Sequence, residues 1–258
     1  MAPSRSTARN QLVAITGCTP ATATSLLEKH NWKLEEAVNA YLENGLSRTT
    51  PVASDPQIEH IYNTYQDQGD PERIDVDGVL RYLEDLGIEP EDPKSLTLAF
   101  FLEAPSMGVF TRAKFIGNWS RTTARSVAEM KQYIESLHST IQDDPLQFVQ
   151  LYNFTFDFSM ENPGQRLLAI DTAVEYWKML LYQRREFEGC QARFDQWFLF
   201  LTTHKKAITK DTWRMVYLFF KEVVAADPSG LLGYDEMASW PSVIDEYIEW
   251  LRDSGEGP

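Results

Sequence analysis

Beyond Gln57, apolar residues recur at helical spacing in nearly every segment, and the most regular stripe lies near the end of the chain. Within Tyr234–Arg252 the apolar positions at helical spacing from Trp240 onward are Trp240, Val243, Ile244, Tyr247, Ile248 and Leu251. That repeat of about 3.6 residues gives a helix one apolar face. Ser239 is placed to cap it and Pro241 to sit in its first turn, where a missing N–H costs nothing. Ser239, Ser242, Asp245, Glu246 and Glu249 fill the other face. Spacing alone describes a terminal helix that closes a core and shows solvent a hydroxyl and carboxylate surface.

The same reading predicts an all-α chain in two parts. Residues 8–46 hold three short helices, over Gln11–Thr16, Ala21–Lys29 and Leu34–Glu43, with Thr19-Pro20 opening the second and Asn31-Trp32 breaking it. Leu12, Val13, Ile15, Ala23, Leu26, Leu27, Trp32, Ala37, Val38 and Tyr41 suffice for a small core. Residues 47–55 are rich in hydroxyls and proline and read as a linker. A larger helical domain spans 56–253, with helices expected at Asp77–Leu86, Leu96–Leu102, Arg112–Trp119, Ala124–Ile141, Gln147–Phe158, Asp171–Tyr182, Gln191–Leu201 and Lys210–Ala226.

Two loops of that domain look like EF-hands that have lost their metal. With Ile74 at the eighth position of the loop beginning at Asp67, Glu72 stands where glycine makes the sharp turn, and Gly78 where a bidentate glutamate closes the calcium shell. A second loop aligned on Phe110 ends at Lys114, a cation in the closing position. The helix–short strand–helix scaffold is expected without the calcium, and a calcium sensor is accordingly the least favoured reading.

A net charge of −14 argues against a sequence-independent grip on nucleic acid, which needs clustered Lys and Arg. It suits a basic protein partner. Cys18 and Cys190 lie far apart, giving no disulfide framework and an intracellular expectation, cytoplasm and/or nucleus. Both are read as unreactive, Cys190 as a helix residue. Met1–Arg9 lacks the apolar core of a signal peptide, Ala2 excludes myristoylation, and no stretch nears the ~20 apolar residues of a membrane span. His30, His60, His138 and His204 are scattered without metal-ligand or triad spacing, and there is no nucleophile elbow, P-loop or dinucleotide fingerprint. No catalytic residue, cofactor or metal site is expected.

The wording of the helices adds more than their spacing. Tyr234-Asp235-Glu236 followed by Trp240-Pro241 and Ile244-Asp245-Glu246 resembles the PONY domain of the defective-in-cullin-neddylation family, in its single-copy fungal form. The likeness continues through Ile208–Trp213, Asn162–Gln165, Ala173–Trp177 and Ile74–Gly78. Residues 8–46 resemble a ubiquitin-associated (UBA) module. The resemblance implies a scaffold-type co-ligase with no active site. An acidic patch at Asp211, Ser239 and Asp245 would receive the basic C-terminal domain of a cullin; the family has alanine where Ser239 stands. An apolar groove at Val76, Val79, Leu98, Ala99, Leu102, Ala104, Met107, Phe110, Phe158, Tyr176 and Met179 would take the acetylated N-terminal tail of the neddylation-conjugating enzyme. Without the resemblance, these stripes read as core. The cullin's RING subunit would be an indirect partner. The UBA likeness implies ubiquitin or the ubiquitin-like modifier at Thr16, Gly17, Cys18, Tyr41 and Leu42, although Thr16 and Cys18 replace the usual apolar pair at the turn. A ubiquitin-binding adaptor is the competing function.

Overall fold

The computed structural model describes residues 5, 8, 9, 12, 20–33, 36, 37 and 55–258, apart from 163, 183, 205, 206, 256 and 258. The chain divides into two compact units, 1–53 and 54–258. In the first, helix α1 (Pro20–Lys29) packs Ala23 and Leu27 against Ala8, Leu12 and Ala37. The chain leaves α1 through two left-handed residues, Asn31 and Trp32, and the Trp32 amide donates to the Leu27 carbonyl at 2.6 Å. The helices expected at 11–16 and 34–43 fall largely outside the described residues. Thr16, Gly17, Cys18, Tyr41 and Leu42 lie wholly outside them, as does the linker up to residue 54.

The larger unit is built from paired helix–strand–helix segments. The first pair comprises α2 (Pro56–Tyr65), β1 (Arg73–Ile74), α3 (Val76–Leu86), α4 (Pro93–Phe101), β2 (Phe110–Thr111) and α5 (Arg112–Trp119). The strands are antiparallel with Ile74 opposite Phe110, the register on which the two loops align in the sequence. Where a calcium ion would sit, the chain supplies its own cations. Arg73 Nε and Nη2 both donate to Asp67 Oδ2 at 3.1 Å, and Lys114 in the closing position of the second loop pairs with Glu103 at its start. Gly78, in the closing position of the first loop, has no room for a side chain: a Cβ would fall 2.1 Å from the Tyr65 carbonyl oxygen.

After α6 (Val127–Asp143) the arrangement is repeated, which sequence reading missed. The second pair comprises α7 (Pro145–Phe158), β3 (Leu167–Leu168), α8 (Ile170–Leu181), α9 (Gln191–His204), β4 (Ile208–Thr209) and α10 (Lys210–Phe219), with Leu168 opposite Ile208. The expected continuation of α10 to Ala226 is replaced by a π-helical turn over Phe220–Val224. There Phe219 meets Trp240 and Phe220 stacks on Phe194; a wider turn lets two consecutive aromatic residues both point inward.

Three helices open in the same way. Asp55-Pro56, Asp92-Pro93 and Asp144-Pro145 each place an aspartate at the N-cap, accepting from the amide two residues on, and a proline at the first helical position. The closing helix starts later instead. It is α11 (Ser242–Asp253), with Pro241 at the N-cap position and no side-chain cap, so neither Ser239 nor Trp240 is helical. Asp235 has already turned the chain by accepting from the Met237 amide at 2.9 Å. The apolar stripe is otherwise as expected, with Val243, Ile244, Tyr247, Ile248 and Leu251 buried. Cys190 is buried but precedes α9 rather than lying within a helix.

The second half is held by three aromatic residues, each on a different helix. The Tyr152 hydroxyl donates to the Trp213 carbonyl at 2.5 Å and accepts from Trp177 Nε1 at 2.8 Å. Trp213 Nε1 donates back to the Tyr152 carbonyl at 2.9 Å. The Trp213 ring stacks on Tyr152 at 4.7 Å and on Trp177 at 5.1 Å. Tyr152→Phe keeps the ring and strands the buried Trp177 N–H, so it is expected to lower unfolding free energy by about 1–3 kcal/mol in urea titrations. A change below the noise of the midpoint would contradict this role.

Candidate functional site

A groove of about 860 Å³ opens between the first helical pair and α8. Helix α3 supplies Val76, Val79, Leu80 and Leu83, one stripe at helical spacing. Helix α4 adds Ser95, Leu96 and Ala99, the turn before β2 adds Met107 and Gly108, and Phe110 and Phe158 complete the apolar lining. From α8 come Asp171, Thr172, Glu175, Tyr176, Lys178 and Met179, and from the loop before α4 come Pro90 and Glu91. Gly108 has φ +72°, and a Cβ there would press within 3.2 Å of the Val76 side chain. The turn can therefore close on α3 only with glycine.

Val76, Val79, Ala99, Met107, Phe110, Phe158, Tyr176 and Met179, among the positions that the resemblance implies for a groove, line this one. Leu98, Leu102 and Ala104 do not. Leu98 and Leu102 lie one turn apart and fully buried, and Ala104 is 4% exposed; these three belong to the core behind α4. Sequence reading missed Leu80 and Leu83, although they continue the Val76–Val79 spacing, and missed the charged rim. Val76, Leu80 and Met107 remain 56%, 47% and 58% exposed, an apolar surface left open by the described residues of the larger unit. Burial pushes the Tyr176 phenol up, with the Ser159 hydroxyl acting against it.

Helix α4 is braced from behind. His138 Nδ1 and Thr97 Oγ1 share a hydrogen bond of 2.8 Å. Burial holds the His138 imidazole below its usual pKa, with Asp92 raising it and Lys94 lowering it.

The acidic residues occupy a second region. Asp211 is exposed in the first turn of α10, a position the helix dipole favours for a carboxylate. Thr209 caps that turn, accepting from the Thr212 amide at 3.0 Å. Asp245, half-buried in the first turn of α11, accepts from the Tyr234 hydroxyl at 2.7 Å. Burial and this bond to Asp245 push the Tyr234 phenol up. Ser239 is exposed just before α11. Ser239 and Asp245 thus share one ordered segment, whereas Asp211 begins the helix whose far end carries Phe219 against Trp240, at 5.7 Å between ring centroids.

The loop feeding this segment is fixed. The buried Arg193 donates to the carbonyls of Pro228 at 2.6 Å and Ser229 at 2.7 Å. Asp227 accepts from the Gly230 amide at 3.0 Å. Among the described residues, no group of three or more His, Cys, Asp or Glu could hold a metal ion, and no helix is long and apolar enough to cross a membrane. Burial pushes the Cys190 thiol up, opposite to what an activated nucleophile needs.

Comparison with known proteins places these features in context. The profile of the cullin binding family matches residues 129–250, and that of the UBA-like domain matches residues 6–47. The chain is 39% identical to Defective in cullin neddylation protein 1 of Candida albicans, covering 97% of this chain and 98% of that protein. To the proteins of the same name in Yarrowia lipolytica and Saccharomyces cerevisiae it is 34% and 27% identical. Those alignments cover 94% and 93% of this chain, and 95% and 91% of the relatives.

The brace behind α4 sets a pH dependence. With its folded-state pKa depressed, His138 binds fewer protons in the folded chain than in the unfolded one as pH falls past about 6.5. Its contribution to stability is complete above that value and is lost as pH drops toward the folded-state pKa. Asp144, Glu129 and Asp227, whose pKa values are also lowered, act only near and below about pH 4. The urea midpoint is therefore expected to fall between about pH 7.5 and 5.5, and His138→Gln to flatten that fall. An equal fall in both proteins would contradict the assignment.

Proposed function

Because the chain belongs to the defective-in-cullin-neddylation family, we propose that it acts in cullin neddylation as a non-catalytic scaffold. In this reading the unit expected over 56–253 is the cullin-neddylation domain. Asp211, Ser239 and Asp245 receive the basic C-terminal domain of a cullin, and the groove beneath Tyr176 receives the acetylated N-terminal tail of the neddylation-conjugating enzyme. The cullin's RING subunit grips the same enzyme. Bringing the charged enzyme to the acceptor lysine raises effective concentration and fixes orientation. No side chain of this protein needs to touch the transferred bond.

The observation that carries the reading is the uncovered groove. Exposed Val76, Leu80 and Met107 beside adaptable Met179 form aliphatic walls suited to a methionine anchor. Tyr176 offers a phenol at the wall, able to bond an amide of the tail. At the acidic patch, Asp245 is held by Tyr234 rather than left free, and serine in place of the family's alanine keeps the contact small. A second reading, a ubiquitin-binding adaptor, draws on the UBA-like match over residues 6–47.

Purified neddylation separates the two. Asp211→Lys/Asp245→Lys reverses both carboxylates and is expected to cut stimulation of cullin modification by about tenfold or more, since close interfacial charges contribute several kcal/mol. Asp211→Lys alone, at an exposed position, is expected to weaken stimulation without lowering thermal stability, whereas Asp245→Lys also breaks the Tyr234 bond. Deleting residues 1–50 is expected to leave most of the stimulation intact. Loss on deletion with retention in the charge-reversed protein would favour the adaptor.

A further inference from the structure

The floor of the groove is apolar, but its rim is not. Three exposed carboxylates stand there: Glu91 from the loop before α4, and Asp171 and Glu175 one turn apart on α8. The single ammonium at the rim, Lys178, is taken by Glu175 at 3.2 Å. Neither Glu91 nor Asp171 has an ion-pair partner among the described residues. Two carboxylates from separate elements therefore line one apolar groove with no ion-pair partner among the described residues. A cation seated at either would be attracted by it.

We infer that Glu91 and Asp171 are specificity residues, which make the groove select a peptide carrying lysine or arginine just behind its apolar anchor and reject an acidic one. This rests on the reading of the groove as a peptide-tail site and adds the chemistry of the tail. The occupant is a peptide rather than a free cation, because a small ion would leave Val76, Leu80 and Met107 uncovered. The apolar floor supplies most of the affinity, and the rim decides which tail is held. At such an exposed rim the selection weakens as salt rises, since charges there are screened over about 10 Å at 0.1 M.

The test uses the full chain and three fluorescent peptides, each beginning with N-acetylmethionine and identical except for Lys, Gln or Glu at two positions behind the anchor. At low salt the Lys peptide is expected to bind about tenfold more tightly than the Glu peptide, with Gln between them, and the spread to shrink in high salt. Glu91→Lys/Asp171→Lys, which alters only exposed side chains, is expected to invert the order. Equal affinities in the wild type, or an unchanged preference for Lys in the charge-swapped chain, would overturn the inference while leaving the groove reading in place. Leu80→Arg tests the groove itself. If it leaves binding of all three peptides intact, or if none binds the wild type, the groove reading fails and this inference with it.

Discussion

The reciprocal bonding of Tyr152 with Trp177 and Trp213 fixes the relation between three helices, and both candidate surfaces inherit their geometry from it. Tyr152 lies on α7, whose last residue, Phe158, lines the groove. Trp177 follows Tyr176 on α8, so one neighbour is locked in the core while the other faces the groove. Trp213 lies two residues after Asp211, in the first turns of α10. Stacked rings alone would tolerate sliding; two indole N–H groups with assigned acceptors do not, because displacement strands a buried donor. A groove wall and an exposed carboxylate are thereby held in fixed relation by a buried contact that neither surface includes.

The EF-hand-like pairs show how such a scaffold dispenses with calcium. A vacated loop would leave carboxylates repelling one another. Here Arg73 satisfies Asp67, and backbone amides do the rest: Gly69 donates to Asp67 at 2.9 Å, which together with Arg73 lowers the Asp67 pKa. Lys114 performs the same service for Glu103. The strand pairing survives because it depends on Ile74 and Phe110, not on the ion.

Much of this was legible from residue order. The stripe Val243–Leu251 and the Ile74/Phe110 alignment follow from periodicity and loop spacing, and the structure bears them out. The Asp-Pro dipeptides were ambiguous, because the same pair that ends a linker also starts a helix; Asp55, Asp92 and Asp144 cap, whereas Asp70-Pro71 and Asp227-Pro228 turn. The β3–β4 pair was invisible, since two-residue strands carry no alternation to detect. In the groove, spacing could not tell Leu98 from Leu96: both are apolar, buried and on one helix, and only packing decides which one lines the groove. The charged rim escaped because Glu91 and Asp171 are eighty residues apart and carry no motif. The start of the closing helix was misjudged because Ser239 looks like a cap while Pro241 takes that place.

The account holds that one chain presents two independent surfaces at once. The most direct measurement is calorimetric titration of a cullin C-terminal domain into the full-length chain, alone and saturated with an N-acetylmethionine tail peptide, followed by sedimentation of the mixture. The account predicts the same affinity in both titrations and a sedimenting species containing one copy of each component. Mutual exclusion of cullin and peptide, or cullin binding that appears only after residues lining the groove are blocked, would contradict it.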